Sequence, residues 1–460
     1  MERDLTSGSV GGQLARFALP FFLSNLLQSA YGLADMAVVG RFVGGSALAA
    51  MASATSLCYL ITSLCMGVAI GGGVLVAQFK GARDNTIERD ESGLRDAAAS
   101  LLAVSAALAL ALTAAGLAVY RPALALMGLP PEAAGHAYAY MRVSLLGTVF
   151  VFGYNTACSI LRGLGDSASP LAYLAISASV NVGLDILFVG PMRMGTAGAA
   201  AATVASQALA CAIALARLKR GAGRGLGLKG ARPRPELVAT ILKLGIPSGI
   251  QSTALNLSYL VVASMLNSFG VDVAAAAGLG LKINGFAVMP CWAVGQAVTS
   301  MVGQNVGARK AGRAASAAKA GICIGVAATA VSVILIQAFV GPLLSLFCED
   351  RAVVSGGVEY LRICCSVNCL VYAAMYVLDC FAFGAGDALF SMSNALLHSV
   401  VVRLALSGIL CYALGLGYRG LYWAEMASPL PSFALALAYF AAGRWKRRRL
   451  VGAIGGEERG

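Results

Sequence analysis

The sequence predicts an all-α polytopic membrane protein, with twelve transmembrane helices in two six-helix bundles related by a pseudo-two-fold axis along the membrane normal. Three observations carry that expectation. Of 460 residues, 58% are hydrophobic and only 12% charged, with a mean hydropathy of +0.78, far from the balance of a soluble globular chain. Uncharged runs such as 97–119 are long enough to cross a hydrocarbon core, and similar runs recur to the C-terminus. The second half also repeats the first. FALPFF at 17–22 returns as LGIPSG at 244–249, AQFKGA at 77–82 as GQNVGA at 303–308, YMRVSLLG at 140–147 as YLRICCSV at 360–367, and GLGDSASP at 163–170 as GAGDALFS at 384–391. Six spans per copy is an even number, so both copies run the same way through the bilayer.

The spans are expected at 13–39, 46–78, 97–119, 137–160, 168–190 and 195–217, forming an N-terminal bundle within 1–217. A basic, Gly- and Pro-rich stretch over 218–238 reads as a linker. The second set is 239–268, 272–304, 316–341, 358–383, 388–415 and 420–443, a C-terminal bundle within 239–443, followed by a tail over 444–460. Spans 2 and 8 are long enough to extend a turn or two beyond the bilayer. No cleavable leader is visible, so span 1 is expected to direct insertion. Lys and Arg gather in the N-terminal segment, the even-numbered loops, the linker and the WKRRR tail at 445–449, which predicts that both termini are cytoplasmic. The net charge of +13 is thereby a topology and lipid-headgroup signal, and no nucleic-acid partner is expected. Twelve cysteines lie mostly in apolar runs without ligand spacing, so no resident metal or cofactor is expected.

Span 1 carries the chemistry that organises the rest. Asn25, Gln28, Gly32 and Asp35 share one helical face, which should look away from lipid. A carboxylate within a span is costly unless paired, protonated or hydrated, so Asp35 is a functional candidate. Pro20 lacks an N–H and clashes with the carbonyl one turn back at Arg16, so a bend or hinge is expected there. In span 5, Asn181 and Asp185 are four residues apart and share a face. Asp185 precedes Pro191 by six residues, as Asp35 precedes Arg41, which places both acids about 9 Å inside the outer boundary. Thr203 in span 6 reaches a similar depth. Asp35, Asn181, Asp185 and Thr203 are therefore expected to converge. Two carboxylates that close do not both ionise cheaply, so the cluster should hold a proton or a small hard cation such as Na⁺.

The second half lacks an acidic counterpart. Moving Asp35 by the proline offset lands on Val262, and moving Asn181 and Asp185 by the Gly-Asp offset lands on Val402 and Leu406. The polar residues of that half, Gln251, Asn256 and Ser258 in span 7, Lys282 and Asn284 in span 8, and Asn368 and Asp379 in span 10, are candidates for substrate contact or for packing between spans; the cavity candidates are Asn25, Gln28, Gln251, Asn256, Lys282, Asn284, Asn368 and Asp379.

At these residues the chain resembles the multidrug and toxic compound extrusion (MATE) family over nearly its full length. The carrying motifs are RDLTSGSVGGQLARFALP, GLADMAVVGRFVGGSALAA, LRGLGDSASP, NVGLDILFV and MVGQNVGA. The resemblance implies twelve helices in two bundles and efflux of organic, usually cationic, compounds in exchange for Na⁺ or H⁺. It implies further that Pro20 is the bend of the first helix, and that Asp35, Asn181, Asp185 and Thr203 match the family's ion-binding cluster. Some sodium-coupled members have an acidic residue early in span 7, where this chain offers Gln251, which argues against a second sodium site. A monomeric, multi-pass protein of the cytoplasmic membrane, handling small organic molecules and acting as an antiporter, is the resulting expectation. The alternatives are a lipid-linked saccharide flippase of related architecture, which would favour a cavity rich in Arg and Lys, and a membrane-embedded transferase, which needs an Asp-rich or His/Asp motif that the sequence lacks.

Overall fold

Long apolar stretches become long helices because, in lipid, every backbone N–H and C=O must find its partner within its own segment. The computed structural model describes residues 3–85, 91–127, 131–220, 230–447 and 450–451. Most of the expected linker (221–229) and much of the tail (448–449 and 452–460) lie outside the described residues. In chain order the helices are α1 (Val10–Phe42), α2 (Gly45–Asn85), α3 (Glu91–Leu126), α4 (Pro131–Gly163), α5 (Ala168–Val189), α6 (Gly195–Lys219), α7 (Pro235–Asn267), α8 (Val271–Gly307) and α9 (Ala311–Ala338). The tenth span is built from Arg351–Cys364 and Val367–Gly384, the eleventh is Ala388–Ala413, and the twelfth is Tyr418–Ala427 continued by Pro429–Ala442. By length and composition ten of these cross a membrane outright. The other two are α1, diluted by its polar face, and the twelfth span, interrupted ahead of Pro429. The fold is thus all-α, with twelve transmembrane helices in two bundles.

The chain forms two compact units. Among the described residues, one holds 3–4, Leu23–Gly249 and 450–451; the other holds Leu5–Phe22 and Ile250–Arg449. The division falls inside α1 two residues after Pro20, and inside α7 two residues after Pro247. Helix α1 runs without a break through Pro20, although the proline leaves the Arg16 carbonyl without its usual donor.

In the first unit, Leu75, Leu101, Ile160, Leu161, Leu218 and Ile241 join α2, α3, α4, α6 and the start of α7 into one core. Small residues let the backbones approach. An added Cβ at Gly67 of α2 would lie 2.3 Å from the amide nitrogen of Gly249 in α7, and one at Gly71 would lie 2.8 Å from that of Gly245, so two glycine pairs face each other one helical turn apart. In the second unit, Leu14, Phe17 and Phe21 from the start of α1 pack with Val298, Met301, Phe381 and Trp445.

The Gly-Asp repeats have a local explanation. Gly165 (φ +87°) and Gly386 (φ +96°) turn the chain through a conformation that disfavours a side chain, and the aspartate that follows caps the next helix. Asp166 accepts from the Ser169 amide at 3.0 Å and hydroxyl at 2.7 Å; Asp387 accepts from the Phe390 amide at 3.2 Å and the Tyr439 hydroxyl at 2.9 Å.

Candidate ion-coupling site

Asp35 on α1, Asn181 and Asp185 on α5, and Thr203 on α6 all belong to the first unit. Helices α5 and α6 are joined by a tight turn in which Arg193 (φ 51°) and Gly195 (φ 59°) take the left-handed region, so the polar faces of the two helices are brought side by side. The Asn181 amide donates to the Thr203 hydroxyl at 3.4 Å, and that hydroxyl donates to the Ala199 carbonyl at 3.1 Å. The Asp35 and Asp185 carboxyls face each other within hydrogen-bonding reach. Asp185 is 0% exposed and Asn181 2%. Tyr31 and Tyr140 lie near Asp35, and Gln28 lies beside Tyr31.

What distinguishes the cluster is its surplus of unmet acceptors. Asp35 Oδ1, both oxygens of Asp185 and Asn181 Oδ1 are buried with no donor to accept from. A buried carboxylate left in that condition is costly, and two unit charges about 4 Å apart repel by about 4 kcal/mol at an effective dielectric of about 20. The arrangement is chemically incomplete without a cation: a proton between the carboxyls makes one of them a donor, and a hard metal ion takes several oxygens at once. Gln207 Oε1, one turn beyond Thr203 on α6, is a further buried acceptor without a donor. Its four-residue spacing from Thr203 was readable in the sequence and was missed.

The remaining candidates are scattered. In α1, Asn25 is half-buried and Gln28 exposed. The Asn256 amide donates to the Ser252 carbonyl of its own helix at 2.8 Å, and Gln251 is half-buried. Lys282 is exposed and makes no ion pair among the described residues. Asn284 accepts from the Cys369 thiol at 3.3 Å, and Asn368 accepts from the Ser366 amide at 3.2 Å where the tenth span breaks. Asp379 is buried and accepts from the Asn394 amide at 2.7 Å, linking the tenth and eleventh spans.

One expectation is corrected. The constant offset that carries Asn181 and Asp185 onto Val402 and Leu406 does not hold along the eleventh span, because Leu397–Val402 is a π-helical turn. A π turn closes its hydrogen bonds i→i+5 and so takes up one extra residue. The buried face shows the slip directly. Pro170, Tyr173, Leu174, Ser177 and Ala178 of α5 match Ser391, Asn394, Ala395, His398 and Ser399, each 221 residues on, whereas Asn181, Asp185 and Val189 match Arg403, Ser407 and Cys411, each 222 on. The new offset continues into the twelfth span. Gly195 and Gly417 share φ 59°, Ser206 and Ser428 are both buried, and Thr203 corresponds to Glu425. The second-half counterparts of Asn181, Asp185 and Thr203 are therefore Arg403, Ser407 and Glu425.

Comparison with known proteins agrees with this architecture. A family model described as MatE matches residues 20–187 and again 247–409, more than half of the chain. The probable multidrug resistance protein YpnP of Bacillus subtilis is 29% identical across 97% of this chain and 98% of its own length. The probable multidrug resistance protein NorM of Thermotoga maritima is 22% identical across 95% and 94%. Among solved structures, an outward-facing multidrug resistance MATE family transporter aligns with a TM-score of 0.89 at 22% identity, over 95% of this chain and 96% of that one. A MATE protein in its bent conformation aligns with a TM-score of 0.87 at 22% identity, over 98% of both chains.

Proposed function

Because this chain belongs to the MATE family of multidrug efflux transporters, we propose that it exports organic, drug-like cations across the cytoplasmic membrane in exchange for an incoming small cation bound at Asp35, Asn181, Asp185 and Thr203. It is a multi-pass membrane transporter and not an enzyme. The reading of the coupling step rests on one observation, the four buried oxygens without donors on Asp35, Asn181 and Asp185. The direct approach of the two carboxyls favours H⁺ over Na⁺, because a single proton satisfies two facing carboxyls without moving them apart.

In the cycle we infer, both termini are cytoplasmic and the protein works as a monomer. Cargo enters from the inside. A cation arriving at the acids from outside lowers cargo affinity and favours its release, with Pro20 absorbing the change in α1. Exchange of one monovalent cargo cation for one H⁺ moves no net charge, so the concentration gradients alone drive it. A neutral cargo gains a further increment of about 2.3 kcal/mol per 100 mV.

The test is cargo uptake into inverted vesicles under a pH gradient without Na⁺ and, separately, under a Na⁺ gradient without a pH difference. Uptake under the first alone is expected. Uptake under the second alone transfers the role to Na⁺, and uptake driven by neither removes ion coupling from the reading.

A further inference from the structure

Where α1 and α5 of the first unit bring unmet acceptors together, the eleventh span of the second carries unmet donors. Arg403 is 3% exposed in the middle of the eleventh span. Its guanidinium carbon stands 4.3 Å over the ring of Tyr259, and Nη2 donates to the Tyr259 hydroxyl at 3.4 Å. Nε and Nη1 are buried and donate to nothing. Its neighbours along the same face are no better satisfied. Ser407, one α-turn on, is 0% exposed with a hydroxyl that has no partner, and buried His398, one π-turn back, has an unpartnered Nε2. The π segment puts His398 and Arg403, five residues apart, on the same buried face, where a regular α-helix would turn them well apart. Ser258 of α7 fixes the turn by donating to the Ser399 carbonyl.

An acid lies in the field of Arg403, but it does not meet this demand. Glu425 accepts from the Tyr360 hydroxyl at 3.1 Å and makes no ion pair with Arg403. The counterpart of Asp35 is Val262, an apolar core residue. A guanidinium has donors only, and leaving them unmade away from water is among the more expensive conditions a side chain can occupy. The unmet need is for an acceptor, best supplied with negative charge.

We propose that Arg403, with Ser407 and His398 beside it, forms a binding site for an oxyanion of the carboxylate type. The second unit would thereby admit cargo bearing a negative group, which goes beyond the export of cations proposed above. The site is independent of the coupling acids, so failure of either reading leaves the other standing.

The experiment is isothermal titration calorimetry on the purified full-length chain at constant ionic strength, with sodium benzoate, the uncharged isostere benzamide, and sodium sulfate. Saturable binding of benzoate but not of benzamide is expected. Arg403→Gln should weaken benzoate at least about tenfold, the loss expected for a hydrogen bond to a charged group. Glu425→Gln, which removes the nearby negative charge, should tighten it several-fold. A purely structural arginine predicts neither the discrimination between benzoate and benzamide nor the opposite signs of the two variants. Sulfate binding as well as benzoate identifies the occupant as a free small oxyanion; benzoate alone identifies it as the carboxylate of an organic cargo. The proposal is overturned if the wild-type chain does not separate benzoate from benzamide, or if Arg403→Gln binds benzoate unchanged. Should Arg403→Gln fail to fold, Glu425→Gln decides, and unchanged or weaker benzoate binding there is equally fatal.

Discussion

Replacing Asp185 with Asn separates function from stability in a way that the geometry makes quantitative. The side chain is 0% exposed, both its oxygens lack donors, and the Asp35 carboxyl faces it. Asn has the same shape, so no cavity opens. Its amide supplies a donor where the facing carboxyls have none, contributing about 1 kcal/mol, and it removes a like-charge repulsion that reaches about 4 kcal/mol for two bare charges about 4 Å apart at a dielectric of about 20. The variant should therefore unfold at the same temperature as the wild type or higher. Transport should respond in the opposite direction, because Asn cannot exchange a proton. For one H⁺ per cargo, each unit of pH difference supplies about 1.4 kcal/mol, a tenfold concentration ratio. Wild-type vesicles should show that dependence, whereas Asp185→Asn should equilibrate cargo near a ratio of one at any pH difference. The assay is steady-state accumulation in inverted vesicles across a series of pH steps, paired with thermal unfolding of the purified protein. Retained dependence on the pH step in Asp185→Asn would refute the coupling role. A large loss of thermal stability would refute the claim that the pocket is short of donors.

Three further outcomes follow from the structure. Pro20→Ala restores the backbone donor to the Arg16 carbonyl in α1, where a proline costs about 3 kcal/mol, so it should raise the unfolding temperature while slowing efflux if α1 must yield at that point. Asp166→Ala deletes both bonds to Ser169 and should cost about 1 kcal/mol in thermal unfolding, with the pH dependence of transport unchanged. Gly67→Ala places a Cβ 2.3 Å from the Gly249 backbone nitrogen, with no flexible side chain to give way, and should lower stability by about 1–3 kcal/mol, visible as poor yield of folded protein.

Much of this architecture was legible because membranes allow few solutions. Apolar runs of sufficient length become helices, and the four repeated motifs mark positions that the two halves fill in similar ways. The polar cluster of α1, α5 and α6 was legible for the same reason. Helical spacing puts Asn181 and Asp185 on one face, and equal distance from the span ends sets Asp35 and Asp185 at equal depth. What stayed hidden was whatever depends on hydrogen-bond closure and not on residue type. The π turn at Leu397–Val402 leaves no mark in hydropathy, yet it moves the register by one residue and turns Arg403 instead of Val402 into the buried face. Likewise the four-residue spacings Gly67/Gly71 and Gly245/Gly249 were visible on two helices, but nothing in either helix alone says that they face each other.

The corrected register changes what the duplication means. Position by position, the two halves bury the same face of their fifth and sixth helices and cap the fifth with the same Gly-Asp turn, so packing and capping are what the repeat shares. The inward polar residues at matched positions differ in charge, by contrast: Asn181 and Asp185 in one copy correspond to Arg403 and Ser407 in the other, and Thr203 is matched by Glu425. A cluster with unmet acceptors needs a cation and one with unmet donors needs an anion, and neither can serve the other's ligand without a change of charge. Had Asp35 and Asp185 both been matched by acids, the natural inference would have been two equivalent coupling sites. Under the two proposals made above, the inversion at Arg403 divides the labour: the first copy's acids bind a driving cation, while the second copy discriminates among cargoes by the negative groups they carry.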